Sequence, residues 1–202
     1  AYVTNEDAGI SIIDITTPSA PTLRATLATP DVALKLQLLY PYLFVANFES
    51  GVRVIDVGNP SVPQEVGAFE FTGDGGSATN IHLYDGKLLV SGSDHNTGEE
   101  VFILDLSSPT TPVKESGFAT RGYPRNIRGY GSYLIATTGN IGMEVFEYAA
   151  PHIWRAEELI SEHAYDVAIQ GDYAYIADLY RGVRIVDISV PQQPVEVGAY
   201  DT

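Results

Sequence analysis

The stretch GVRIVDISVPQQP, residues 182–194, occurs in five versions along the chain. Two versions are close copies, GVRVIDVGNPSVP at 51–63 and GISIIDITTPSAP at 9–21. A looser version is EVFILDLSSPTTP at 100–112, and the most divergent is GMEVFEYAAPHIW at 142–154. Recurrence of one motif every 40 to 49 residues is the signature of a repeat protein, so the repeat is interpreted before any single residue.

Each version carries one carboxylate near its centre and a proline four residues later. Proline cannot donate to a sheet ladder and is therefore expected between strands. A carboxylate just ahead of such a turn can accept backbone N–H hydrogen bonds and fix the turn. Because a residue that recurs in every unit usually serves the unit, we predict a structural, turn-capping role for Asp14, Asp56, Asp105, Glu147 and Asp187.

The unit at 164–202 contains four strand-like pieces, YDVAIQ, YAYIAD, VRIVDI and VEVGAY, which are separated by turn residues. Four short antiparallel strands in about 40 residues is the spacing of a β-propeller blade. The sequence therefore predicts an all-β fold, a β-propeller of four-stranded antiparallel blades. We expect a single domain, 1–202, with five repeat units at approximately 1–30, 31–77, 78–123, 124–163 and 164–202.

The first unit starts at its second strand, AYVTN, so the first blade is expected to lack its innermost strand. Two sources could supply the missing strand. One is a strand donated by a neighbouring chain, and the other is the rest of a longer parent chain.

The charge and composition argue against several classes of binding partner. With 26 acidic and 11 basic residues, the net charge of −15 repels nucleic acid and anionic membrane surfaces. No apolar run approaches the roughly 18 residues that a membrane span needs, so direct membrane insertion is not expected. The chain has no cysteine, which excludes disulfides and thiolate metal sites.

The motifs GVRIVDIS, GVRVIDVG and GISIIDIT, each followed by a Pro-x-x-Pro turn, resemble the LVIVD repeat family. The resemblance covers the whole chain and is most specific in the first, second and fifth units. It implies β-propellers in bacterial and archaeal surface or secreted proteins, mostly without a known activity. We therefore expect an extracellular or cell-surface location, and the family supplies no catalytic residues.

The first strand of each unit alternates apolar and polar residues, and in a propeller this strand lines the central channel. The apolar set is Leu36, Ile81, Ile127 and Val167. A ring of polar groups at a channel mouth is the default ligand site of this architecture. The predicted ligand-binding residues are Lys35, Gln37, Asn80, His82, Asn126, Arg128 and Asp166.

The third unit carries two insertions that could bring Asp74, Asp94, His95 and His82 together. Their spacing matches no fixed metal motif, so Asp74, Asp94 and His95 are weak metal candidates and neither metal nor cofactor is expected.

A glycoside-hydrolysing propeller needs two carboxylates about 5–10 Å apart, whereas Asp166 alone lies within an aligned first strand. The sequence therefore favours a non-catalytic scaffold that binds or assembles a protein or glycan partner through its rim and channel mouth. Two alternatives remain. One is a carbohydrate-binding or glycoside-hydrolysing propeller, and the other is a structural subunit of a surface layer or filament.

Overall fold

The computed structural model of the chain describes residues 1–6, 8–71, 75–139, 141–148, 156–158 and 163–201, with the backbone alone at 156–158. Throughout these ranges the secondary structure consists of strands and turns. None of these residues forms a helix long and apolar enough to cross a membrane. The chain divides into two compact units, one of 1–98 with 102–117 and one of 99–101 with 118–202.

The first unit contains three sheets, each of which forms one blade. Blade one consists of β1 (Tyr2–Thr4), β2 (Ile10–Asp14) and β3 (Thr22–Leu27). Blade two consists of β4 (Lys35–Leu39), β5 (Tyr42–Ala46), β6 (Val52–Asp56) and β7 (Gln64–Phe69). Blade three consists of β8 (Ser77–Tyr84), β9 (Lys87–Asp94), β10 (Glu99–Asp105) and β11 (Val113–Phe118), of which the first three residues of β10 and the last of β11 are counted with the second unit.

The second unit contains two further four-stranded blades. Blade four consists of β12 (Pro124–Tyr130), β13 (Tyr133–Thr138), β14 (Gly142–Glu147) and β15 (Ala156–Glu158). Blade five consists of β16 (Ala164–Gln170), β17 (Tyr173–Asp178), β18 (Gly182–Asp187) and β19 (Val195–Tyr200).

The strands of every blade lie side by side in chain order, as in a meander, and five antiparallel sheets result. The first has three strands and the other four have four. The predicted fold class is therefore confirmed: an all-β propeller fold of four-stranded blades, with a first blade that lacks its innermost strand. The prediction of a single domain stays a prediction.

Within each unit, the first strands of the four-stranded blades contact each other. Strand β4 lies against β8 in the first unit, and β12 lies against β16 in the second. Ile81, Ile127 and Val167 on these strands are buried, and Leu36 is half-buried. Three of these apolar side chains, Leu36, Ile81 and Val167, pack in clusters that join two neighbouring blades.

The cores also lie between neighbouring blades. Phe44 and Val54 of blade two pack in one cluster with Ile81, Leu88 and Phe102 of blade three. A second cluster joins residues of β13 and β14 to residues of β16, β17 and β18. Each blade is therefore stabilised largely by its neighbour, as expected for stacked repeats.

Four of the five motif carboxylates accept a backbone hydrogen bond in the turn that follows the third strand. Their oxygens accept the backbone N–H two residues further on, an Asx-turn. The pairs are Thr16 to Asp14 at 2.9 Å, Gly58 to Asp56 at 2.7 Å, Ser107 to Asp105 at 3.2 Å and Ser189 to Asp187 at 2.9 Å. For Glu147 the residue two positions on, Ala149, lies outside the described residues.

Asp105 has an additional partner that predicts a pH dependence. A side-chain hydrogen bond from Lys87, helped by Ser107, lowers the pKa of Asp105 to about 2. A carboxyl whose folded pKa lies below its unfolded value, about 3.9, stabilises the fold above that value. This contribution is lost as the pH falls through the folded pKa. We expect Asp105→Asn to lower the free energy of unfolding above pH 4, and the gap from wild type to close between about pH 4 and pH 2.

Urea unfolding at a series of pH values measures this gap. Lys87→Gln serves as the partner variant. It should raise the pKa of Asp105, so the contribution of Asp105 to stability should be lost at a higher pH than in wild type. A gap between wild type and Asp105→Asn that stays constant from pH 6 to pH 2 would contradict the assignment.

Candidate functional site

The first unit carries four of the predicted ligand-binding residues on the adjacent strands β4 and β8. Lys35 is exposed and Gln37 is half-buried on β4. Asn80, at the position of Lys35 in the repeat, is only 5% exposed. His82 is half-buried and its ring stacks on Tyr84, with the ring centroids 6.4 Å apart. These side chains therefore differ in accessibility although they share repeat positions.

The second unit brings the other three predicted residues into one hydrogen-bonded group, called here the inner-strand network: Asn126, Arg128 and Asp166. The amide nitrogen of Asn126 donates to Asp166 Oδ1, and the Arg128 guanidinium donates to the amide oxygen of Asn126. Arg128 also donates to the carbonyl of Ile127 at 2.8 Å, and its Nη2 lies 3.9 Å from Asp166 Oδ1. The Val167 N–H donates to the same Asp166 oxygen at 2.8 Å.

Repeat register accounts for this grouping. Asn126 lies opposite Thr137 across the blade-four ladder, and Asp166 lies opposite Ala177 at the equivalent point of blade five. Since β12 and β16 are neighbours, residues at one repeat position become neighbours in space. Asn126, 2% exposed, fixes the relative placement of a cation and an anion.

Beside the network lies a shallow pocket of about 240 Å³, called here the inner pocket. Its lining residues are Arg128, Asp166, Val167, Ala168, Tyr175 and Ala177. Burial lowers the pKa of Arg128, and the charge of Asp166 opposes this effect. Arginine side chains stay protonated in proteins, so the guanidinium is a cation. The pocket thus offers a cationic donor and an anionic acceptor beside apolar side chains.

A β-bulge, which sequence alignment did not reveal, places further residues on the surface of blades four and five. In β12, Pro124 pairs with Thr138 and Asn126 with Thr137, which leaves Arg125 as the extra residue. In β16 the same irregularity leaves Tyr165 as the extra residue. Strict alternation would have put both side chains on the buried face, and the bulge turns them outward.

Arg125 and Tyr165 line a second pocket of about 280 Å³ together with Tyr123, Gly139, His163 and Leu179, called here the rim pocket. The guanidinium carbon of Arg125 lies over the ring of Tyr123 at 5.5 Å and over that of Tyr165 at 5.3 Å from the centroid. These residues were missed in the sequence. One feature of the sequence could have pointed to Arg125 and Tyr165: they occupy the same repeat position, directly before Asn126 and Asp166.

The weak metal candidates lie in or near the insertions of blade three. Asp94 is buried, and burial by itself would raise its pKa. Hydrogen bonds from Asn96 and Thr97 outweigh this effect, so the pKa of Asp94 lies below the usual value. His95 is exposed and lies beside Gly75, while Asp74 lies outside the described residues. Across the ranges that the structure describes, no three His, Cys, Asp or Glu side chains are grouped to hold a metal ion.

Solved structures share the fold. The crystal structure of a computationally designed protein matches with a TM-score of 0.74 at 12% identity, over 100% of this chain and 59% of that one. The crystal structure of a protein from Lactobacillus plantarum matches with a TM-score of 0.79 at 13% identity, over 100% of this chain and 67% of that one. This chain therefore spans about 59% of the designed protein's length, and at such identities the likeness extends to the fold alone.

Sequence comparison identifies the repeat. No curated protein matches the chain significantly. The profile of the LVIVD repeat, however, matches residues 1–29, 35–70 and 162–202, which is more than half of the chain. These ranges contain the three motif copies at 9–21, 51–63 and 182–194. The chain therefore belongs to the LVIVD repeat family.

Proposed function

We propose that this protein is a non-catalytic binding module that is secreted or displayed at a cell surface. Its contact surface is the rim and channel mouth of the propeller, and its partner is a protein or a glycan. The observation that carries the proposal is the inner-strand network, in which Asn126 holds Arg128 and Asp166 in place beside the inner pocket. Polar groups that are already oriented before binding cost less entropy to order.

The chemistry of the inner pocket favours binding over hydrolysis. Glycoside hydrolysis requires two carboxylates about 5–10 Å apart, one as acid and the other as base or nucleophile. Asp166 is the carboxylate among the lining residues, and its Oδ1 already accepts hydrogen bonds from Asn126 and Val167. A carboxylate held in this way is suited to receive ligand hydroxyl or ammonium groups.

The test compares Arg128→Ala with wild type on an array of bacterial cell-surface glycans and on immobilised cell-envelope protein. We expect the variant to lose affinity by about 10-fold or more, because a hydrogen bond to a charged group contributes about 1.5–3 kcal/mol. The matched control is Arg24→Ala. Arg24 lies on the outer strand β3, where it pairs with Asp14. Arg24→Ala removes one positive charge, as Arg128→Ala does.

Equal affinity of wild type and Arg128→Ala would contradict the proposal. Release of sugar from a labelled glycan by the wild type, with loss of that release in Asp166→Ala, would replace the proposal with glycoside hydrolysis.

A further inference from the structure

The inner pocket lies on one face of blade five, beside Arg128 of blade four. Ala168 of β16 is opposite Tyr175 across the ladder, and Asp166 is opposite Ala177. Residues that face each other in an antiparallel pair project from the same side of the sheet, so these four side chains share one face. Ala168 and Ala177 are exposed, and Tyr175 is half-buried. The two alanines thus form an apolar floor beside an aromatic ring and a carboxylate.

The repeat explains why space is available at this point. The position of Ala168 is occupied by long or bulky polar residues in blades two, three and four, namely Gln37, His82 and Arg128. The position of Tyr175 is occupied in those blades by buried apolar residues, namely Phe44, Leu89 and Ile135. Because alanine is the smallest side chain at its position, blade five has room for a ligand beside the ring of Tyr175.

Two groups of the inner-strand network have hydrogen-bonding capacity left. Asp166 Oδ1 accepts from Asn126 and from the Val167 N–H, and Arg128 Nη1 donates to Asn126 and to the carbonyl of Ile127. Within the described ranges, neither Asp166 Oδ2 nor Arg128 Nη2 makes a hydrogen bond, since the 3.9 Å from Nη2 to Oδ1 is too long for one. The side chain of Asp166 is 52% exposed and that of Arg128 is 26% exposed. A ligand therefore meets an acceptor and a donor close to each other.

We propose that the inner pocket binds a neutral hexopyranose through two adjacent hydroxyl groups and one apolar face of the sugar ring. This inference rests on the proposed binding function and names the ligand class of that same site. One hydroxyl donates to Asp166 Oδ2, and its neighbour accepts from Arg128 Nη2. The C–H face of the sugar packs against the ring of Tyr175 and the methyl group of Ala168, since a tyrosine ring offers a large apolar face.

The arrangement of donor and acceptor favours a pair of vicinal hydroxyls. Such hydroxyls are close enough together to reach both a guanidinium nitrogen and a carboxylate that lie 3.9 Å apart, and each of them can donate as well as accept. The secondary amide of an N-acetyl group points its C=O and its N–H in opposite directions. It therefore cannot serve two protein groups that lie side by side.

The charges of the pocket favour a neutral sugar over a charged one. Arg128 and Asp166 are the cation and the carboxylate among the lining residues, so their fields largely cancel inside the pocket. The net charge of −15 repels an acidic sugar from the protein as a whole. An amino sugar would place its ammonium group near the guanidinium as well as near the carboxylate. Neutral hydroxyls avoid both repulsions.

The test measures binding of methyl galactoside, methyl glucoside and methyl mannoside to the full chain by ligand-observed NMR. We expect at least one of them to bind with a Kd on the order of 1 mM, which is usual for so small a ligand. The uronic acid of the same configuration should bind at least about 10-fold more weakly. Deoxy analogues of the bound hexoside should lose about 10-fold in affinity at two adjacent ring positions, because each leaves one charged protein group without its hydroxyl.

Ala168→Gln tests the location. It introduces the residue that blade two has at this repeat position, Gln37, and fills the pocket without removing a member of the inner-strand network. We expect the affinity for the hexoside to fall by at least about 10-fold. The matched control is Ala199→Gln, since Ala199 is an exposed alanine on the outer strand β19 of the same blade and does not line the pocket. The control should bind as the wild type does, and thermal unfolding verifies that both variants fold.

Three results would overturn the inference. The first is no binding of any of the three hexosides at tens of millimolar. The proposed function would still stand in that case if the wild type captured a cell-envelope protein that Arg128→Ala did not. The second is equal affinity of Ala168→Gln and wild type for the hexoside, which would place the sugar outside the inner pocket. The third is binding of the uronic acid as tight as that of the neutral hexoside, which would show a site for anions.

Discussion

Replacing Phe44 by alanine is expected to lower the free energy of unfolding by about 3 to 5 kcal/mol, the usual range for a fully buried phenylalanine. Phe44 lies on β5 of blade two with no exposed surface, and its cluster includes Phe102 and Leu88 of blade three. The cavity left by the alanine therefore lies between two blades. Because each blade is stabilised by its neighbour, we expect both to lose stability together.

Chemical denaturation followed by tyrosine fluorescence and circular dichroism measures the effect. Leu23→Ala is the control, since Leu23 on β3 is 65% exposed and its truncation should change the stability by about 0.5 kcal/mol or less. A loss below about 1 kcal/mol for Phe44→Ala would show that the inter-blade core does not stabilise the fold.

Gly51→Ala is expected to destabilise the protein by about 3 kcal/mol, the combined effect of a strained backbone and a steric clash. Gly51, the first residue of the repeat motif in blade two, has a φ of +74°. A Cβ at this position would lie 2.2 Å from the carbonyl oxygen of Phe69 at the end of β7. Gly9 has the same surroundings in blade one, with a φ of +80° and the Leu27 oxygen at 2.3 Å.

Gly86→Ala separates the effect of the strained backbone from that of the steric clash. Gly86 has a φ of +71°, but a Cβ there would meet nothing within 4 Å. We therefore expect a cost of about 1 to 2 kcal/mol from the left-handed backbone alone. If Gly51→Ala and Gly86→Ala were equally stable in urea unfolding, the close approach of the fourth strand would not be the reason for the motif glycine.

The same physical requirement accounts for the exception in blade three. Glu100 occupies the motif position of Gly51, and the loop before it is longer. Gly98, two residues earlier, adopts the positive φ of +71° instead. The loop insertion moves the left-handed residue, so the glycine that begins the motif is no longer needed in this blade.

The repeat also predicted part of the candidate site. Because Asn126 and Asp166 share a repeat position on neighbouring strands, alignment was sufficient to expect them near each other, with Arg128 beside them. It did not predict that Asn80 would be buried while Lys35 is exposed, although both occupy that same position. Burial depends on the residues that surround a position, and these differ between blades.

The sequence by itself determined the repeat, the order of the strands, the turn residues and the face of each first strand that is apolar. These features follow from local chemistry, namely proline and carboxylate at turns and alternation along strands. The tertiary structure alone decided where Arg125 and Tyr165 lie. A bulge is set by the pairing of two strands, and pairing is not a property of either strand taken alone. Two adjacent blades carry that bulge at the same point, and the guanidinium carbon of Arg125 lies over the ring of Tyr165, the extra residue of the next blade, at 5.3 Å from the centroid.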